Sequence, residues 1–159
     1  MKQTYRILFI CMGNICRSPA AEGIMKHKVE EQGLAQFFFI DSAGIYGWHE
    51  GELPDHRMRT HASRRGYALT SRSRPIKYDD FEQFDFIIGM DDNNLQDLKQ
   101  MAPNRESQRK IRRMTDFCQT KTADCVPDPY YGGASGFELV LDLLEDACDG
   151  LINELKGHK

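Results

Sequence analysis

Four consecutive apolar residues near the start of the chain, Ile7-Leu8-Phe9-Ile10, form a run too short for a helix and read as a buried strand. From 19 to 32 the apolar positions fall at helical spacing, with Ile24, Met25 and Val29 on one side and Gly33 as the stop. Phe37–Ile40 predicts a second strand, completing a βαβ unit. A helix is predicted over 54–65, opened by Pro54 and closed by Gly66, followed by a third strand at Phe84–Ile88. Asp91 then caps a helix that turns Leu95, Leu98 and Met101 inward. A short strand near 110–114 is polar enough, with Lys110, Arg112 and Arg113, to sit at a sheet edge. Residues 136–156 predict a long closing helix striped by Phe137, Val140, Leu143, Leu144, Ala147, Leu151 and Leu155. Strands alternating with helices imply an α/β fold with a mostly parallel sheet covered on both faces.

Composition narrows this little. A chain of 159 residues with no linker is most simply one domain, and 40% hydrophobic with 28% charged residues is an ordinary globular balance. A net charge of −3 argues against nucleic acid as a partner, and no apolar stretch has the length of a membrane span. The N-terminus lacks the pattern of a secretory signal, so a cytoplasmic address is expected. Five cysteines suit thiols in a reducing compartment, with Cys118, Cys125 and Cys148 as structural residues. Neither a C-x2-C pair nor a histidine spacing suggests a metal, and no cofactor is called for.

The chemistry is concentrated where the first strand ends. Cys11-Met12-Gly13-Asn14-Ile15-Cys16-Arg17-Ser18 is a C-x5-R-S loop between a strand and a helix. At that junction backbone N–H groups point at a bound anion. Five residues suffice to curl the backbone around one tetrahedral anion, and Gly13 and Asn14 enter positive φ most easily. Arg17 supplies a planar fork for two phosphate oxygens. Ser18 is placed to cap the helix, with Pro19 at its first position, and to donate to the Cys11 sulfur. Loop dipoles, Arg17 and Ser18 together favour thiolate over thiol at Cys11.

Transfer of a phosphoryl group from an ester to a thiolate needs a proton for the departing oxygen. Val126-Pro127-Asp128-Pro129-Tyr130-Tyr131-Gly132-Gly133 offers it: prolines on either side pre-orient Asp128, and a bound dianion nearby favours its protonated form. Tyr130 and Tyr131 present aromatic faces that suit an aryl phosphate.

With these segments the chain resembles the low-molecular-weight protein tyrosine phosphatases, from CMGNICRSPAAEG through DSAGIYGW and FDFIIGMD to DPYYGG. The resemblance implies a four-stranded parallel sheet flanked by helices and hydrolysis of phosphotyrosine in proteins or peptides, releasing inorganic phosphate. It puts the nucleophile on Cys11, the phosphate clamp on Arg17, thiolate support on Ser18 and the general acid on Asp128. Phosphate-loop contacts fall on Met12, Gly13, Asn14, Ile15 and Cys16, and aryl walls on Met12, Trp48, Tyr130 and Tyr131. Support of Asn14 falls to Ser18, Ser42 and Ser71, the last standing where the family normally has a histidine that also partners Asp91. A reversible Cys11–Cys16 disulfide is a further implication. Two other readings stay open: a thiol-dependent arsenate reductase with Cys118 and Cys125 as relay, and a phosphoprotein-binding module without turnover. Seven basic residues and no acid lie between His56 and Tyr78, among them Arg57, Arg64, Arg65, Arg72 and Arg74; this run reads first as a solvated face and second as a steering patch.

Overall fold

Residues 7–10 are fully buried because they form the centre of an inner strand, β1 (Tyr5–Cys11), with a neighbour on each side. In this computed structural model, which describes residues 4–130 and 133–156, the other strands are β2 (Phe38–Gly44), β3 (Phe86–Gly89) and β4 (Ile111–Arg113). They pair in the order β2-β1-β3-β4, all parallel. The helices are α1 (Arg17–Glu31), α2 (His56–Arg64), α3 (Tyr78–Gln83), α4 (Asp92–Met101), α5 (Arg105–Arg109) and α6 (Ala134–Lys156). Alternate β1 side chains separate into two cores, Ile7 and Phe9 with α1 and α6, Leu8 and Ile10 with Phe81 of α3 and Leu95 of α4. The chain leaves β1 for β2 on one side and β3 lies on the other, so the connections diverge beyond Cys11 and open a crevice there.

Several boundaries differ from the sequence reading for physical reasons. The first helix begins at Arg17, two residues early, and Cys16 occupies its N-cap position without a side-chain cap. Ser18 is therefore inside the helix and does not cap it; its hydroxyl is committed to the loop. The second strand runs on through Asp41 and Ser42 to Gly44, since pairing with β1 continues to Cys11. Asp55, rather than Pro54, opens α2, its carboxylate accepting from the Arg57 N–H. The short helices α3 and α5 carry too few apolar residues to register as periodic. Asp91 caps α4 by accepting from the Asn94 N–H at 2.8 Å, and β4 is the predicted edge. No helix among the described residues is long and apolar enough to cross a membrane.

Part of the basic run is neutralised within the fold. Arg65 pairs with Glu138, Asp142 and Glu145 of α6, and Arg74 with Asp41 and Asp80. Tight packing of α6 supplies a stability test: a Cβ on Gly150 would lie 1.7 Å from the Phe117 carbonyl oxygen. Because backbone, not a flexible side chain, stands in the way, Gly150→Ala is expected to destabilise the protein by about 3 kcal/mol in urea unfolding. An unchanged midpoint would show that α6 and residues 114–117 separate easily.

Candidate active site

Asn14 is the one non-glycine residue at positive φ, 59°, among the described residues. Its amide nitrogen donates to Ser18 Oγ at 2.7 Å and Ser42 Oγ at 3.0 Å, and its oxygen accepts from the Arg74 N–H at 3.1 Å. Ser71 does not take the third place; a backbone N–H does, which any residue would supply. Ser42 passes the chain on, donating to Glu22 Oε1 at 2.6 Å, and Ser73 Oγ donates to the Gly13 carbonyl. Gly44 lets the loop lie against the end of β2, because a Cβ there would meet Tyr46 O at 2.9 Å and Gly13 C at 3.0 Å. Three segments of the chain thus hold one turn.

Two groups reach the Cys11 sulfur from behind. Ser18 Oγ lies 3.0 Å away and the Ser18 N–H donates at 3.4 Å. The Ser18 oxygen accepts from Asn14, and its one hydrogen faces the sulfur at 3.0 Å and, more distantly, the Ala43 carbonyl at 3.5 Å. Arg17 is 1% exposed, its Nη1 donating to Asp91 Oδ2 at 2.6 Å and to the Val126 carbonyl at 3.0 Å. Its Nη2 lies 3.7 Å from Asp128 Oδ2. Burial works against the Arg17 charge, but the charge on Cys11 and then the bond to Asp91 outweigh it and hold the guanidinium above its ordinary value. Asp91 has Arg17 and the Asn94 N–H as partners in place of an imidazole.

Cys11, Gly13, Ile15, Cys16, Arg17 and Asp128 line a cavity of about 200 Å³, with Met12, Trp48, His49 and Tyr130 around them. Asn14 and Ser18 sit behind the loop and do not line it. Trp48 is exposed and stacks on Tyr46, ring centroids 4.5 Å apart. Tyr131 lies outside the described residues. Sequence reasoning missed His49 and Tyr46, although both lie in the DSAGIYGWHE stretch beside Trp48. Cys16 is buried, and burial, then Asp55, then Cys11 push its thiol far up, so at neutral pH it stays protonated beside Cys11. The arrangement is a cup for one tetrahedral oxyanion, with a sulfur at its base, a guanidinium in its wall and a carboxyl at its rim.

Closeness of the loop to β2 yields a prediction. Gly44→Ala should weaken inorganic phosphate binding roughly tenfold or more, read from the phosphate-dependent rise in melting temperature. An undiminished rise would mean that the loop does not need this close approach.

The family profile described as Low molecular weight phosphotyrosine protein phosphatase matches residues 6–159. A Synechocystis protein named putative low molecular weight protein-tyrosine-phosphatase is 43% identical over 150 residues, 94% of this chain and 96% of that protein. A crystal structure of an Entamoeba histolytica protein tyrosine phosphatase with Hepes in the active site superposes with a TM-score of 0.95 at 46% identity, covering 98% of this chain and 99% of that one. The structure of a Drosophila arginine phosphatase gives 0.88 at 33% identity, covering 98% of each chain. Sheet order, the Cys-to-Arg loop and these likenesses over nearly the whole length agree: the chain belongs to the low molecular weight protein-tyrosine phosphatases.

Proposed function

We propose that this protein hydrolyses phosphotyrosine in proteins or peptides, and small aryl phosphates, in two steps through a phosphocysteine. The carrying observation is that Cys11, Arg17 and Asp128 face one cavity, with the Ser18 hydroxyl and N–H behind the sulfur. In the first step the Cys11 thiolate attacks phosphorus, the P–O bond to the aryl group breaks, and protonated Asp128 gives its proton to the leaving phenolic oxygen. In the second, Asp128 takes a proton from water, the hydroxide attacks phosphorus, and the P–S bond breaks to return the thiolate and release inorganic phosphate. Arg17 and the loop N–H groups hold the non-reacting oxygens through both steps and require no reorganisation.

The stacked Tyr46–Trp48 pair and Tyr130 favour an aromatic ring over the cup. Neither Cys118 nor Cys125 lines the cavity, and Cys118, its thiol pushed up to about 11 mainly by burial, is poorly suited to a reductase relay. The proposal includes a cytoplasmic address, where a reducing medium keeps Cys11 and Cys16 as thiols.

Turnover of 4-nitrophenyl phosphate tests the roles directly. Cys11→Ser should abolish it, and Asp128→Ala should lower kcat by about a hundredfold or more. An unaffected kcat in the second variant would remove Asp128 from proton transfer, and faster release of phosphate from phosphoarginine than from phosphotyrosine would overturn the substrate assignment.

A further inference from the structure

We propose that Arg57, an exposed residue outside the reacting cavity, is a positioning residue that sets where the Asp128 carboxyl stands relative to the phosphate loop. The inference rests on Asp128 being the proton donor and acceptor.

The geometry is a continuous chain of hydrogen bonds. Asp128 Oδ1 accepts from the Tyr130 N–H at 3.0 Å, so the orientation of the carboxyl is tied to the Tyr130 peptide. The carbonyl of Tyr130 accepts from Arg57 Nη2 at 2.9 Å. The same guanidinium lies 5.3 Å from the Tyr130 ring centroid and 4.9 Å from that of Phe137. It thereby holds the acid segment at Tyr130 and, beyond residues 131 and 132, at the start of α6. Arg57 is itself fixed by a two-point contact with Asp55, Nε to Oδ1 and Nη2 to Oδ2, each 3.2 Å. Asp55 caps α2, and its N–H donates to the Ile15 carbonyl at 2.7 Å, inside the phosphate loop. Burial opposes ionisation of Asp55, but the bonds from Arg57 outweigh it and hold the carboxyl below its ordinary range. One end of this chain of contacts is therefore the loop that carries the nucleophile, and the other is the carboxyl that must meet the leaving oxygen.

A displaced general acid hurts poor leaving groups and spares good ones, because only the former need the proton. An arginine that merely attracts phosphate dianions would instead affect all aryl phosphates alike. The test measures kcat/KM, which reports the first chemical step, for phenyl phosphate and 2,4-dinitrophenyl phosphate in the wild type, Arg57→Gln, Asp128→Ala and the double variant. Arg57→Gln should lose roughly tenfold on phenyl phosphate and less than about twofold on the dinitrophenyl ester, a modest misplacement of a catalytic group. In the Asp128→Ala background the same change should cost nothing further, since no carboxyl remains to be positioned. Equal losses on both substrates, or a loss that persists in the double variant, would overturn the positioning role. If Asp128→Ala itself shows no dependence on the leaving group, the acid assignment fails and this proposal with it. If Asp128→Ala shows that dependence and Arg57→Gln does not, only the positioning role is lost.

Discussion

A single left-handed residue governs the site. At φ 59° Asn14 turns the chain between Cys11 and Arg17, and without its hydrogen bonds that conformation costs an L-residue about 1–2 kcal/mol. The cost is met locally. Three hydrogen bonds from one amide join α1, β2 and the segment before α3, so the curve of the loop is set by elements that the hydrophobic cores hold in place. The same bonds orient Ser18, and through Ser18 the hydrogen available to the Cys11 sulfur. Backbone shape and the chemistry of the nucleophile are therefore one problem with one solution.

Arg17 poses the complementary difficulty, a guanidinium almost fully removed from water. An unpaired buried charge is prohibitive, but this one has Asp91 and the Val126 carbonyl on one side and faces the sulfur and Asp128 on the other. Asp91 caps α4 and Val126 is held by the Met90 carbonyl beyond β3. The clamp thus stands on the ends of the strands rather than on free loops, which suits a group that must not move as charge shifts between oxygens.

Much of this was legible from the residues. The four buried positions of β1, the long stripe of α6 and the Asp91 cap are strong local signals, and the Cys11-to-Arg17 spacing needs no tertiary information. What escaped has a common cause. The partner of Asn14 beyond Ser18 and Ser42 is a backbone N–H, invisible in any sequence pattern, and Ser71 drew attention only because a histidine was expected there. Ser18 looked like a cap because serine before proline usually is one; the sulfur and Asn14 claim its hydroxyl instead. β2 extends through Asp41 and Ser42 by pairing with β1, and these polar residues, which serve Arg74 and Asn14, break the apolar pattern that marks most strands. Asp55 and Arg57 form a pair two residues apart, a half-buried carboxylate and an exposed guanidinium, ordinary on paper and distinctive only once Tyr130 lies across it.

The Asn14 amide, and not only a backbone able to reach positive φ, holds the cup. Asn14→Gly separates the two, since glycine adopts this φ without strain but has no side chain to bond. The decisive measurement is the inhibition constant of inorganic phosphate for this variant. It should rise about tenfold or more if the lost hydrogen bonds shape the loop. A value equal to that of the wild-type protein would show that the loop keeps its shape without the Asn14 side chain.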